Sequence, residues 1–241
     1  MDLNNKNEVL EAIKNCEKVA KFLIPSYEKD EILERYRNVL ENISDELKND
    51  KEFMLEAVKN DWYGEVLQYA SDELKADKEF MLGIIKNYGY GSLLMYASDE
   101  LKNDREVVME AVKNNNTGEA LEYASDELKV DKDIVLEAVK NDGWALKYAS
   151  DELKKDKEFI LEAVNNNIKA FEILGDINKE LQKDSEIIDT TINKFSTYEC
   201  SKDYDLDSLK NNPEQLTNIL KTINFETEYL VKDDENKIQF G

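Results

Sequence analysis

The residues of this sequence that most resemble a catalytic group are pairs of adjacent acidic side chains. Five Asp-Glu dipeptides recur at regular spacing, at 45–46, 72–73, 99–100, 126–127 and 151–152. Two neighbouring carboxyl groups can serve general acid–base or glycosidic chemistry. A catalytic pair is usually unique, whereas these pairs return at one position of a repeated unit. Negative charge is favourable in the first turn of a helix, which explains the pairs without catalysis.

A second acidic string, residues 203–214, has the spacing of a calcium loop. Acids stand at loop positions 1, 3, 5 and 12, and Asn211 stands at position 9. However, Ser208 replaces the glycine of such loops, and Pro213 interrupts the string. The other interpretation is an acidic linker that caps a helix starting at Asn212. We favour the linker and assign no metal.

Most other catalytic and metal-binding chemistry needs residues that this sequence does not contain. The chain has no histidine, which removes imidazole bases, histidine triads and histidine metal ligands. Cys16 and Cys200 are the only cysteines and have no CxxC partner, so we expect free thiols and no structural zinc. No phosphate-binding GxxxxGK or GxGxxG loop is present. The sequence therefore predicts a protein that is not an enzyme and needs no cofactor.

Net charge and hydropathy limit the partners and the location. The net charge of −22 repels nucleic acid and anionic membranes, so direct binding to either is not expected. No basic start with an apolar core marks a signal peptide, and no apolar run reaches the roughly 20 residues of a membrane span. We expect a cytoplasmic monomer.

The elements that must position these residues are set by a repeat. The pentapeptide Ser-Asp-Glu-Leu-Lys, here called the SDELK turn, starts at Ser44, Ser71, Ser98, Ser125 and Ser150, in steps of 27, 27, 27 and 25 residues. Such a period indicates a stacked array in which each unit buries its apolar face against its neighbours. The sequence therefore predicts an all-α fold, an α-solenoid of about five two-helix repeats of 25–28 residues with helical caps. Each repeat is named below after its serine.

Within the Ser71 repeat the pattern places two short helices around the SDELK turn. The first is Glu65–Ala70, and the turn that follows is predicted to be a single helical or 3₁₀ turn with Ser71 as its N-cap. Asp77 is the next cap, and the second helix runs from it. Its apolar pairs at i, i+4 are Phe80 with Ile84 and Met81 with Ile85.

The ends depart from this pattern. We divide the chain into an N-terminal helical cap at 1–43, the repeat array at 44–194 and an acidic C-terminal cap at 195–241. A helix at 5–23 echoes the repeat, and another is expected at 28–43. In the C-terminal cap one helix starts at Asn212, and residues 225–240 are compatible with a small hairpin.

The full period carries a family resemblance. The pattern Tyr-Ala-Ser-Asp-Glu-Leu-Lys-x-Asp-Lys-Glu-x-x-Leu-Glu-Ala-Val-Lys-Asn, with Gly-Trp-Ala-Leu-Lys-Tyr-Ala-Ser at 143–150, resembles the family called domain of unknown function 4116 over about 44–170. The resemblance implies tandem helical repeats. It implies no established activity and supplies no catalytic residue.

Two sets of aromatic residues follow the repeat. Tyr69, Tyr96, Tyr123 and Tyr148 return at one position, which favours a packing role. Other aromatics differ between the inter-repeat loops, and variable positions on a fixed scaffold are where an array would carry specificity. These candidate partner-binding residues are Trp62, Tyr63, Tyr88, Tyr90 and Trp144. The alternative is that each ring covers the edge of the next repeat.

The leading interpretation is a non-enzymatic protein–protein interaction scaffold that binds a basic protein or peptide, since an acidic surface attracts such a partner. The alternative is an acidic nucleic-acid mimic that inhibits a nucleic-acid-binding enzyme. The near-periodic acids Glu56, Glu110, Glu137 and Glu162 favour the mimic, whereas the interleaved lysines and Gly83 within that row weaken it.

Overall fold

Helix is the regular structure throughout the part of the chain that is described. The computed structural model describes residues 2–21, 34, 37–60, 65–88, 91–115 and 117–223. Over these residues every element is an α- or 3₁₀-helix, and none is a strand. The prediction of an all-α fold is confirmed. The predicted hairpin at 225–240 lies outside the described residues, as does half of the predicted helix at 28–43, of which residues 34 and 37–41 are helical.

Each repeat contains the SDELK turn and a long helix, and in the four repeats from Ser71 to Ser150 a 3₁₀ segment precedes the turn. The 3₁₀ segments are Glu65–Tyr69, Gly91–Tyr96, Glu119–Tyr123 and Gly143–Tyr148. The SDELK turns are α-helical at Asp45–Lys48, Asp72–Lys75 and Asp99–Lys102, a plain turn at 126–130 and 3₁₀ at Leu153–Lys155. The long helices are Lys51–Lys59, Lys78–Tyr88, Arg105–Lys113, Lys132–Asn141 and Lys157–Asn166. The prediction of a single helical or 3₁₀ turn therefore holds for four of the five SDELK turns, and that of the Ser125 repeat is a plain turn.

The remaining helices lie at the two ends of the chain. The first is Lys6–Lys21, within the helix predicted at 5–23. After the last full repeat come Ala170–Ile177, Lys179–Gln182, Ser185–Phe195, the 3₁₀ segment Glu199–Asp203, Leu206–Lys210 and Pro213–Thr222. Pro213 occupies the first turn of its helix and Asn212 caps it, as the sequence predicts.

Side-chain caps start the short helices. The Ser71 hydroxyl accepts a hydrogen bond from the backbone N–H of Leu74 at 3.2 Å and donates one to Asn49 at 2.7 Å. At the following cap, an Asp77 oxygen accepts from the backbone N–H of Phe80 at 2.9 Å. Each cap satisfies an N–H group that has no partner within its own helix. These caps help a helix of only four residues, such as Asp72–Lys75, to form.

Backbone hydrogen bonds join successive SDELK turns. The N–H of Ser71 donates to the carbonyl of Lys48, and the N–H of Ser98 donates to that of Lys75, both at 2.9 Å. Ser125 repeats the bond to Lys102 at 2.9 Å, and Ser150 repeats it to Lys129 at 3.0 Å. In the degenerate unit that follows, the side-chain amide of Asn178 donates to the carbonyl of Lys154 at 3.1 Å. An asparagine thus makes the contact between repeats where the serine is missing.

Ion pairs add a second connection between neighbouring repeats. The lysine that opens one long helix reaches the aspartate that caps the next. The pairs are Lys6–Asp50 at 2.9 Å, Lys51–Asp77, Lys78–Asp104 at 2.8 Å, Lys132–Asp156 at 2.7 Å and Lys157–Asp184 at 2.9 Å. Because Lys6 takes part, helix Lys6–Lys21 occupies the place of a long repeat helix. The echo of the repeat in the N-terminal sequence therefore has a structural counterpart.

The core lies between the long helices and the 3₁₀ segments. Phe80, Met81, Ile84 and Ile85 are all buried in helix Lys78–Tyr88, as their spacing predicts. The other long helices bury the same four positions, so each of them carries one buried apolar stripe. The chain divides into two compact units, one holding the residues up to Asn115 with Tyr123–Ser125 and the other holding the rest. The predicted boundaries near 43 and 194 stay predictions.

Candidate functional site

Trp144 is the one predicted binding residue whose side chain is described. Trp62, Tyr63 and Tyr90 lie outside the described residues, and Tyr88 is the last residue of helix Lys78–Tyr88. The described residues therefore do not test whether the five predicted residues form one site. Whether they share a surface stays a prediction.

The backbone of a short 3₁₀ segment positions Trp144. Asp142 caps the segment Gly143–Tyr148, and its carboxylate accepts the backbone N–H of Trp144 at 3.1 Å. A methyl group on Gly143 would lie 2.4 Å from the backbone nitrogen of Ala170, so only glycine permits this approach of the next segment. Trp144 is consequently held at a close contact between repeats and is still 37% exposed.

The indole of Trp144 is bound to a buried carboxylate that the sequence analysis did not select. Its Nε1–H donates to Glu172 Oε2 at 3.2 Å. Glu172 lies in helix Ala170–Ile177 and is only 4% exposed. Its one sequence signal is an acid inside the apolar run Ala-Phe-Glu-Ile-Leu at 170–174. The contact between repeats is therefore present, whereas partner binding by the partly exposed Trp144 stays a prediction.

Burial raises the pKa of Glu172, because the charged carboxylate loses hydration inside the protein. The hydrogen bond from Trp144 acts in the opposite direction, as do the positive charges of Lys169 and Lys221, whereas Asp142 adds to the rise. Among the described residues, the indole N–H of Trp144 is the hydrogen-bond donor found at this carboxylate. Glu172 thus places a poorly hydrated negative charge beside an exposed aromatic ring.

The acidic pairs of the SDELK turns face solvent. The side chains of Asp45, Asp99 and Asp126 are fully exposed, and that of Asp151 is 86% exposed. Their ion pairs with the lysine three residues later are long, 3.9 Å in each case. Exposed carboxylates with weak partners lack the shielded setting of a general acid or base. Their place in the first turn of a helix, predicted from the sequence, is confirmed for the α-helical turns.

The carboxylates with a lowered pKa are structural. Lys51 holds the pKa of Asp77 below its usual range, and the backbone N–H of Phe80 adds to the effect. Lys132 does the same for Asp156. These aspartates cap long helices and pair with the preceding repeat. Their shifts therefore reflect stabilising contacts and not a reactive group.

The near-periodic acids of the long helices are partly neutralised. Glu56 lies 3.4 Å from Lys14 and 3.7 Å from Lys59, and Glu137 lies 3.9 Å from Lys140. Glu110 accepts a hydrogen bond from Asn114 at 2.9 Å. Because lysines of the same chain pair with these acids, the row presents less negative charge to solvent than the sequence suggests.

The acidic string 203–214 is divided between two helices. Asp205 caps helix Leu206–Lys210 by accepting the N–H of Ser208 at 3.3 Å, and Asn212 caps the following helix. Among the described residues no group of three or more acidic or cysteine side chains is arranged to hold a metal ion. The helix-capping interpretation is the one that the geometry supports.

The tyrosine ladder is half-buried and not fully enclosed. Tyr69, Tyr96, Tyr123 and Tyr148 all have intermediate exposure. Burial raises the pKa of Tyr148, whose hydroxyl is hydrogen-bonded to Glu122, while Lys147 Nζ lies 4.5 Å from the ring centroid. This arrangement fits the predicted packing role with a polar partner for the phenol.

No helix in the described ranges is long and apolar enough to cross a membrane.

Comparison with known proteins confirms the resemblance seen in the repeats. The model of a family described as domain of unknown function (DUF4116) matches residues 5–75, 62–90, 77–129 and 131–177. These segments reach beyond 44–170, and the first includes the helix whose Lys6 pairs with Asp50. Comparisons with curated proteins and with solved structures give no match.

Proposed function

Since this chain belongs to the family of domain of unknown function DUF4116, we propose that it is a non-enzymatic helical-repeat scaffold that binds another protein of basic character. Fold membership alone assigns no activity, so the proposal depends on what the repeats present to solvent. Its partner is a protein or peptide rich in lysine and arginine.

The exposed acids of the SDELK turns are the observation that supports this function. One turn is bonded to the next through the serine N–H and the lysine carbonyl, as in Ser71 to Lys48 at 2.9 Å. Within the first compact unit, the pairs at 45–46, 72–73 and 99–100 therefore stand on directly connected turns, and all six acids are exposed. Backbone hydrogen bonds hold the turns that carry this row of negative charge. The row attracts a cationic partner and orients it on the surface.

The other acids favour binding over catalysis and over nucleic-acid mimicry. Asp77 and Asp156, whose pKa is lowered, cap helices and pair with lysines, so their roles are structural. The row that would imitate phosphates is partly neutralised, as at Glu56 with Lys14 and Lys59. The long-helix acids therefore do not supply the regular unpaired charge that a mimic of a polyanion needs.

Matched variants test the proposal. One replaces Glu46, Glu73 and Glu100 of three connected SDELK turns by glutamine. The control replaces Glu52, Glu79 and Glu106, which stand in the first turns of the long helices of the same three repeats. Both variants remove the same charge from exposed positions, so any difference reports the position and not the total charge.

The immobilised protein is incubated with native lysate at low and at physiological salt, and the isoelectric points of the retained proteins are compared with those of the lysate. We expect basic proteins to be enriched, the SDELK variant to lose them and the control variant to keep them. Equal retention by both variants would show that the SDELK acids are not the binding surface. Both functions depend on exposed charge, so retention should weaken with salt in either case; retained nucleic-acid-binding enzymes that added nucleic acid releases would favour the mimic instead.

A further inference from the structure

We propose that Trp144, together with the buried carboxylate of Glu172, forms a recognition site for an arginine side chain of the basic partner. This inference rests on the proposed function, because it names the group of the partner that one position of the scaffold receives. The proposed site differs from a general acidic surface because it requires one aromatic ring and one buried carboxylate.

The orientation of the indole is the first reason. Its N–H edge is turned inward to Glu172 Oε2 at 3.2 Å, while the residue is still 37% exposed. The backbone N–H of Trp144 is also held, by Asp142 at 3.1 Å. An exposed aromatic ring fixed at two points is a preorganised surface, since little freedom is lost when a ligand covers it.

The second reason is the charge beneath the ring. The face of an indole carries partial negative charge and attracts cations, tryptophan most strongly among the aromatic residues. A carboxylate that accepts the indole N–H adds negative potential at the ring. Because Glu172 is 4% exposed, water screens its charge less than it screens that of a surface acid.

The chemistry of the ligand follows from the shape of the site. A guanidinium group is planar, stacks on aromatic faces and is more weakly hydrated than an ammonium group. It can therefore lie against the exposed part of Trp144 with a small loss of hydration. The nearby Lys147 does not fill this role, since its ammonium lies 4.5 Å from the ring centroid of Tyr148.

Two lysines of the same unit compete for the carboxylate. Lys169 and Lys221 lie close enough to lower the pKa of Glu172. A partner's arginine would be opposed by both of them. Removing the positive charge of Lys221, which is exposed in helix Pro213–Thr222, should therefore strengthen arginine binding.

The test uses the whole chain labelled with ¹⁵N and follows the indole N–H signal of Trp144, assigned by its loss in Trp144→Phe. The probe is an acetylated and amidated glycine-serine peptide with one central arginine. The control peptide carries citrulline, which has the shape of arginine without its charge. We expect a saturable shift of the Trp144 signal with the arginine peptide only. The dissociation constant of this peptide should be about fivefold larger for Glu172→Gln than for the wild type, and smaller for Lys221→Gln.

Glu162→Gln is the matched control, because it removes the same charge from an exposed position of the same unit. It should leave the affinity unchanged. Equal shifts with arginine and citrulline, or equal affinities in Glu172→Gln and Glu162→Gln, would overturn the site. A lysine peptide that binds as tightly as the arginine peptide would overturn the assignment to guanidinium.

The outcomes separate this inference from the proposed function. If basic proteins are retained in an SDELK-dependent manner and the Trp144 signal does not respond to arginine, the arginine site is wrong and the scaffold function stands. If the arginine peptide shifts the signal while no basic protein is retained, the site stands and the scaffold function fails. The wild-type comparison of arginine with citrulline needs no substitution, so a variant that folds poorly does not affect it.

Discussion

Leu153 and Leu128 occupy the same position in adjacent SDELK turns but differ in burial. Leu153 is 5% exposed in its 3₁₀ turn, whereas Leu128, in the plain turn at 126–130, has intermediate exposure. Replacing Leu153 by alanine removes apolar contacts and leaves a cavity, which should lower the free energy of unfolding by roughly 2–5 kcal/mol. Leu128→Ala should cost only about 1 kcal/mol, because part of that side chain is already hydrated.

Both leucines lie in the second compact unit, so one measurement compares them. Urea unfolding is followed by circular dichroism and by the fluorescence of Trp144 in a Trp62→Phe background, and the two variants are compared at constant slope. Val130→Ala is the control, because Val130 is 45% exposed in the same turn as Leu128 and should change the free energy by about 0.5 kcal/mol or less. Equal losses in Leu153→Ala and Leu128→Ala would refute the view that burial between repeats makes this leucine stabilising.

Three further predictions concern single positions. Ser98→Ala should lower the free energy of unfolding by about 1 kcal/mol in urea titrations, because its hydroxyl caps the next helix by accepting the N–H of Leu101. Gly143→Ala should reduce the melting temperature, since the new methyl group would lie 2.4 Å from a backbone atom. Gly83→Ala should instead raise the free energy of unfolding by roughly 0.5–1 kcal/mol, since nothing lies within 4 Å of the added carbon. Glu172→Gln should be more stable than the wild type at neutral pH: burial raises the pKa of Glu172 in the folded state, so the folded protein loses stability as pH rises through that pKa. This advantage should shrink as pH falls from the raised pKa to the ordinary pKa of glutamate and be absent at lower pH, and an advantage independent of pH would contradict the assigned burial.

Sequence reasoning reached the candidate site only in part. It selected Trp144 because aromatics that vary on a repeated scaffold are favoured anchors. It missed Glu172, because an acid in a helical segment is normally read as exposed. Only the contact with Trp144 and the burial of helix Ala170–Ile177 single out this carboxylate.

The local structure of each repeat was determined by the sequence itself. The period of the SDELK turn, serine and aspartate at helix starts and the spacing of Phe80 with Ile84 depend on contacts within a few residues, which one chain segment contains. They were sufficient for an all-α repeat fold with the correct caps.

Contacts between repeats were decided by the tertiary structure. Lys51 pairs with Asp77 and the N–H of Ser71 bonds to Lys48, although the short-range pattern predicts neither partner. Both contacts depend on how far one repeat is shifted against the next. The packing of buried side chains determines this shift, and local helix propensity does not. The same stacking places the charge of Glu172 inside the protein beside an exposed tryptophan, which a linear pattern of polar and apolar residues cannot express.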